Sequence, residues 1–150
     1  MRVEKDFEEL LGLLNKHKVK YCIVGAYAVA FYGRPRYTKD LDVLVEPAIE
    51  NGKKIVRALK EFGFDSLELS EYDFAKKNNI VQLGYEPLRV DFINSIKGCS
   101  FKEVWENKRK GIYGRKKVFF VGPNELIKNK KLLNRNQDKV DLEILHRGAK

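Results

Sequence analysis

The chain has 150 residues, 43% hydrophobic and 34% charged, enough apolar material for one substantial core at the usual size of one domain. Lys and Arg number 30 against 21 Asp and Glu, a formal charge of +9 and a pI near 9.5, so the surface attracts phosphates, nucleic acid or an anionic membrane. No apolar run approaches the roughly 20 residues of a membrane span, and the charged start MRVEKDFEELLGLLNKHK lacks the apolar core of a signal peptide. The expectation is a soluble cytoplasmic protein with no membrane role. Cys22 and Cys99 lie far apart without CxxC spacing, which excludes a thiolate zinc site or a redox pair and leaves two reduced thiols.

From Asp6 to Lys18 the apolar residues Phe7, Leu10, Leu11 and Leu14 recur at helical spacing and predict an amphipathic first helix. Tyr21 to Val24 is a short apolar run of strand formers that stops at Gly25 before the small-residue stretch AYAVAFYG, which reads as strand, tight turn and short helix. Gly33, Arg34 and Pro35 break the chain. LDVLVE then alternates, with Leu41, Val43 and Val45 on one face and Asp40, Asp42 and Leu44 on the other.

Lys53 to Phe62 has helical periodicity and stops at Gly63, and further strands are expected around Phe64 to Leu67, Ile80 to Leu83 and Leu88 to Ile93. Ser100 with Glu103 makes a capping-box signature for a helix through Trp105. KKVFFVG reads as a strand, Pro123 opens a helix through Leu133, and a last helix runs from about Gln137 to Leu145 into a basic tail. The order is mixed α/β, without repeats or linkers, in one domain over residues 1–150.

Alternate residues of a strand project to one face about 6.6 Å apart, so Asp40 and Asp42 repel unless something positive lies between them. Two divalent cations about 3.5 to 4 Å apart relieve such repulsion and stabilise in-line displacement at phosphorus. In LRVDFI, Val90 and Phe92 bracket Asp91, so burying those two turns Asp91 to the other face, where a shared metal gives it a partner. Acids on the polar side of an edge strand are also common when merely solvated. Gly25 between strand and helix lets backbone N–H groups approach a phosphate at the helix N-terminus.

On these residues the stretch VGAYAVAFYGRPRYTKDLDVLVE resembles the minimal nucleotidyltransferases related to DNA polymerase β and kanamycin nucleotidyltransferase. Gly25 matches the first glycine of their turn, Gly33 and Arg36 match a Gly and an Arg often seen before the acids, and Thr38, Asp40 and Asp42 match T-x-D-x-D. Asp91 in RVDFI matches the third carboxylate. ELIKNKKLLNRNQDKVDLEIL resembles bacterial and archaeal members near the abortive-infection toxin group, through Lys130, Arg135, Asp138 and Asp141, so the likeness spans about residues 19 to 145. It departs from the pattern at Ala26, where many active members carry Gly or Ser; the backbone N–H remains but a side-chain hydroxyl does not.

The resemblance implies an α+β fold, a mixed sheet flanked by helices with further helices at the C-terminus. It implies transfer of a nucleoside monophosphate from a nucleoside triphosphate to a hydroxyl acceptor, with release of pyrophosphate and Mg²⁺ or Mn²⁺ as cofactor. Asp40, Asp42 and Asp91 would be the catalytic metal ligands. Gly25, Ala26, Arg36, Thr38 and Lys130 would bind nucleotide, Lys130 directing its ammonium at the triphosphate or standing as a solvated lysine. Arg36 would steady a phosphate or pair with an aspartate, and Arg135 with Asp138 would form a local ion pair worth a few tenths of a kcal/mol if exposed. His17 and His146 read as solvated. With about 150 residues there is little room for a separate acceptor-recognition domain. The acceptor stays open between a tRNA end, a protein hydroxyl and a small molecule, as do the base and the oligomeric state. The alternative is a catalytically silent module of the same fold that binds nucleotide, RNA or a partner protein, as within a toxin–antitoxin pair; a basic RNA-binding protein without a nucleotide site is a third reading.

Overall fold

In a computed structural model, which describes residues 3–33, 38–64, 68–85 and 88–148, the chain forms a six-stranded mixed sheet with seven helices among the described residues. Helix α1 (Lys5–Lys16) buries Phe7, Leu10, Leu11 and Leu14, the four residues whose spacing predicts it, and carries Asp6 and Glu8 in its first turn, where they complement the helix dipole. Strand β1 (Tyr21–Val24) is buried along its length and runs directly into α2 (Gly25–Tyr32). β2 (Asp40–Val45) follows, then α3 (Ile49–Phe62), which ends at Gly63 with φ +116, a left-handed conformation that favours glycine.

The remainder comprises α4 (Glu71–Ala75), β3 (Ile80–Tyr85), β4 (Leu88–Ile93), α5 (Phe101–Glu106), β5 (Arg109–Tyr113), β6 (Lys116–Phe120), α6 (Pro123–Leu133) and α7 (Asn136–Gly148). The expected capping box at α5 is present: Glu103 N–H donates to Ser100 Oγ at 3.1 Å, and Ser100 N–H donates to Glu103 Oε1 at 3.2 Å. A second box, Ser70 with Asp73, starts α4, which is too short for periodicity to reveal. β5, for which the sequence predicts no element, is an edge strand whose Arg109 and Lys110 are exposed, and such charges discourage pairing with another chain. Of the strand expected around Phe64 to Leu67, Phe64 lies outside any strand and residues 65–67 lie outside the described residues. No described helix is long and apolar enough to cross a membrane.

The sheet order is β3-β4-β2-β1-β6-β5, with β2/β4 and β1/β6 parallel and the other neighbours antiparallel. Register aligns Ile23 with Val43, Val43 with Phe92 and Phe92 with Val81, so one sheet face is continuously apolar. α4 meets that face where Phe74 packs edge-on against Phe92, and Phe7, Leu10 and Phe62 border Leu83 and Val90. The opposite face carries Asp40, Asp42, Arg89 and Asp91.

One buried amide ties α3 to the sheet. Asn51 is 2% exposed; its Oδ1 accepts from Lys20 N–H at 2.8 Å, while its Nδ2 donates to the carbonyls of Lys20 and Glu46 at 3.0 and 3.2 Å. Truncation leaves three part-buried backbone groups without that partner. Asn51→Ala is therefore expected to cost about 2 to 3 kcal/mol in urea denaturation, and Asn51→Asp a similar amount, because a carboxylate cannot donate to the two carbonyls.

Candidate active site

The parallel register of β2 and β4 sets the site. It puts Asp42 opposite Asp91 and Asp40 opposite Arg89, so the three predicted carboxylates share one sheet face on adjacent strands. Burial of Val90 and Phe92, at 7% and 1% exposure, is what turns Asp91 to that face. The period-two alternation also brings Arg89 there. Its Nη2 donates to Asp40 Oδ2 at 3.0 Å and its Nε to Asp91 Oδ1 at 3.0 Å, with a further Nη2 contact to Asp91 Oδ2 at 3.3 Å. Arg89 thus bridges two carboxylates with the planar donor set that only a guanidinium offers. Its signal was available in the sequence: two residues before Asp91, it has the same parity.

Asp42 feels the crowding most. Burial first, then the charges of Asp91 and Asp40, push its carboxyl up to about 6, against smaller opposing fields from Lys130 and Arg89. Asp40 Oδ1 is buried and accepts no hydrogen bond among the described residues. At Gly25, φ is +69 and an added Cβ would overlap the Asp42 carboxylate, so both the turn and the close approach of backbone to acid require glycine. No side chain caps α2, leaving its first-turn N–H groups open to an anion beside Asp42.

These features border a cavity of about 510 Å³. Gly25, Ala26 and Asp42 line one side; Lys130 and Asp141, from α6 and α7, line another. Ile80, Ile93 and Ile96 supply an apolar wall, and Asn78 and Ser95 from two loops and Asn129 from α6 add polar groups that no sequence motif marks. Asp40 and Asp91 stand beside Asp42 in the sheet and are not among the lining residues. Thr38 precedes β2, where its carbonyl accepts the Tyr27 hydroxyl at 3.4 Å, and it too is off the cavity wall. Arg36 lies outside the described residues.

Lys130 is neither solvated nor free to reach outward. It is 6% exposed, and its Nζ lies 3.1 Å from both Asp138 Oδ1 and Asp141 Oδ2, two aspartates with no solvent exposure. Arg135 adds a Nε bond to Asp138 Oδ2 at 2.7 Å. The pair Arg135 and Asp138 exists as spacing predicts, but full burial of Asp138 takes it out of the weak, exposed class. Arg135 and Lys130 together hold the Asp138 carboxyl well below the usual carboxylate range.

The donor set suits a hard divalent cation: every candidate ligand is a carboxylate oxygen, one such oxygen is buried without a hydrogen bond, and one guanidinium offsets only part of three negative charges. Among the described residues, as they stand, no three acidic, imidazole or thiol groups converge on one ion, and Arg89 stands between Asp40 and Asp91.

Two outcomes follow. Asp42 has a folded-state pKa raised above its unfolded value, so native-state stability falls as pH rises from about 4 to about 6 and stays lower above that. Asp42→Asn, in the presence of a chelator, should raise the unfolding free energy read in denaturant titration at pH 8, by at most about 3 kcal/mol, and leave it nearly unchanged at pH 4. Asp138→Asn should cost about 3 kcal/mol or more in denaturant titration at neutral pH, since it removes one partner of a buried ion cluster.

No protein-family model and no curated protein sequence matches the chain. Solved structures do. A Thermotoga maritima protein classed as a nucleotidyltransferase superposes with a TM-score of 0.62 at 16% identity, covering 91% of this chain and 88% of the other. The lincosamide antibiotic adenylyltransferase LnuA, solved with lincomycin bound, gives 0.55 at 14% identity over 95% and 96% of the two chains. The antibiotic-resistance factor ANT(2'')-Ia gives 0.59 at 9% identity over 95% and 80%. At such identities the likeness is one of fold, and the fold is that of the minimal nucleotidyltransferases.

Proposed function

We propose that the chain transfers a nucleoside monophosphate from a nucleoside triphosphate to a hydroxyl group. The observation that carries this reading is the meeting of Gly25, the uncapped N-terminus of α2 and Asp42 at the edge of one cavity, with Asp40 and Asp91 in the same row of the sheet. In this reading the backbone N–H groups of Ala26 and the next positions of α2 donate to phosphate oxygens, which the helix dipole favours. Asp40, Asp42 and Asp91 would hold Mg²⁺ or Mn²⁺, which when bound would screen the triphosphate and stabilise charge on the attacking and leaving oxygens. Asp91 would also draw the proton from the acceptor hydroxyl. Lys130, fixed by Asp138 and Asp141, contributes an oriented positive field at the cavity rather than a mobile ammonium. The apolar wall of Ile80, Ile93 and Ile96 suits a base, and the nearby amides suit its polar edge.

A second reading is a silent module of the same fold that binds nucleotide without turnover. Arg89, already paired with two of the three carboxylates, and Ala26 where many active members carry Gly or Ser favour it.

Calorimetric titration of ATP, GTP, CTP and UTP, with and without Mg²⁺, tests both. The transferase reading expects micromolar, Mg²⁺-dependent binding of at least one, lost in the variant carrying Asp40→Asn and Asp42→Asn. Binding that is indifferent to Mg²⁺ and to the double substitution supports the silent module. No binding of any of the four would end both readings.

A further inference from the structure

A second concavity, of about 800 Å³, lies away from the carboxylates. Its cations are Lys18, Lys20, Lys54, Arg115, Lys116 and Lys117, and no carboxylate is among its lining residues. Lys20 has a partner in Glu46 at 3.7 Å. The other five form no ion pair among the described residues, although the Arg115 backbone N–H donates to Glu8 at 2.8 Å. In a chain with 21 acidic residues, such a cluster of unneutralised charge is a concentrated positive field.

Trp105 and Phe119 form the apolar part of the same wall, their rings 5.4 Å apart at 72°. Lys108 lies over the Trp105 ring at 3.8 Å and adds a seventh cation beside the groove. Five positions of this lining come from Asn15 to Lys20 and from Lys54, and five from Trp105 to Phe119.

Topology separates this groove from the carboxylate cavity. Lys18 and Lys20 precede the first residue of β1, and Lys116 and Lys117 open β6, which runs parallel to β1. The Gly25 turn follows the last residue of β1, so the two sites lie at opposite ends of a four-residue strand, about 13 Å of backbone apart.

We propose that this groove binds single-stranded nucleic acid, its unpaired cations tracking the phosphate backbone and the edges of its aromatic wall, whose Trp105 ring is covered by Lys108 and Phe101, packing against bases. Cations without neutralising partners release counterions when phosphate replaces them, and apolar aromatic surface between them is what separates a nucleic-acid groove from a merely cationic one. An anionic lipid surface would need a flat or protruding basic face, whereas this one is concave. The proposal does not depend on nucleotidyl transfer, because it uses none of the carboxylate residues.

The chain contains a single tryptophan, so intrinsic fluorescence reports on this groove directly. The experiment is titration of the full chain with fluorescein-labelled single-stranded RNA and DNA of about twelve nucleotides, read by anisotropy, with unlabelled oligonucleotide read by Trp105 fluorescence. Saturable binding with a Trp105 signal at about 50 mM salt is expected, weakening steeply as salt rises. Lys54→Glu, Arg115→Glu and Lys117→Glu together should weaken it at least about tenfold, and the three Gln replacements should lower the salt slope. Circular dichroism and Tm identify folded variants. Asp40→Asn with Asp42→Asn should bind as the wild type does, which separates this result from the fate of the nucleotide site. Failure to bind either strand overturns the proposal. So does an equal loss from Lys5→Glu, Lys131→Glu and Lys139→Glu, which would reduce binding to net charge, and so does tighter binding to phosphatidylcholine vesicles carrying phosphatidylserine.

Discussion

Three carboxylates fixed in two adjacent strands cannot move apart, and much of the site answers to their repulsion. Leu41, Val43 and Val45 on β2, with Val90 and Phe92 on β4, hold the register through the apolar face; a slip of one residue would bury the acids and expose the core. The hydrophobic effect therefore confines the charges, and electrostatics must accommodate them locally. Arg89 draws two of them together, Asp42 shifts toward its neutral form, and Gly25 yields the space that a Cβ would deny to its carboxylate. The proposed cation would relieve the repulsion that the protein's own groups offset only in part.

A second ion cluster, built on the opposite principle, shapes the other side of the cavity. Lys130 and Arg135 balance Asp138, and Lys130 also meets Asp141, so charge is neutralised inside the protein rather than left for a ligand. Those pairs join α6 to α7 where neither helix presents a wide apolar stripe: Leu126 and Leu145 are buried, while Leu132 and Val140 are 45% and 51% exposed. Buried ion clusters are costly to desolvate, and here the cost is offset by several hydrogen bonds in fixed geometry. The result is an ammonium fixed in the wall of the cavity of about 510 Å³ that Asp42 also lines.

The molecule is consequently acidic at its centre and basic outside it. A formal charge of +9 draws polyanions toward the surface in general, while the unpaired cations near Trp105 give that attraction one address at the far end of β1. In the proposed reading the carboxylate row would repel a naked phosphate and favour one that arrives with a cation.

Local periodicity determined a great deal. The four apolar residues of α1, the run Tyr21 to Val24, the alternation in LDVLVE and LRVDFI, the Ser100 and Glu103 cap and Pro123 each specify an element from neighbours within a few residues, and the alternation alone places Asp40, Asp42 and Asp91 on a polar face. What periodicity cannot supply is which strand lies beside which. The contact of Arg89 with Asp40 spans 49 residues and exists because β4 pairs with β2 rather than with another strand. Lys130 reads from the sequence either as a triphosphate-directed ammonium or as a solvated lysine among lysines, and only α7, folding back, buries it against Asp138 and Asp141. The basic segments likewise look dispersed in the chain; sheet order gathers Lys18, Lys54 and Lys117 into one groove. The sequence by itself determined which residues face which way, because that depends on backbone geometry over a few bonds; the tertiary structure alone decided their partners, because those depend on long-range packing of the whole apolar core.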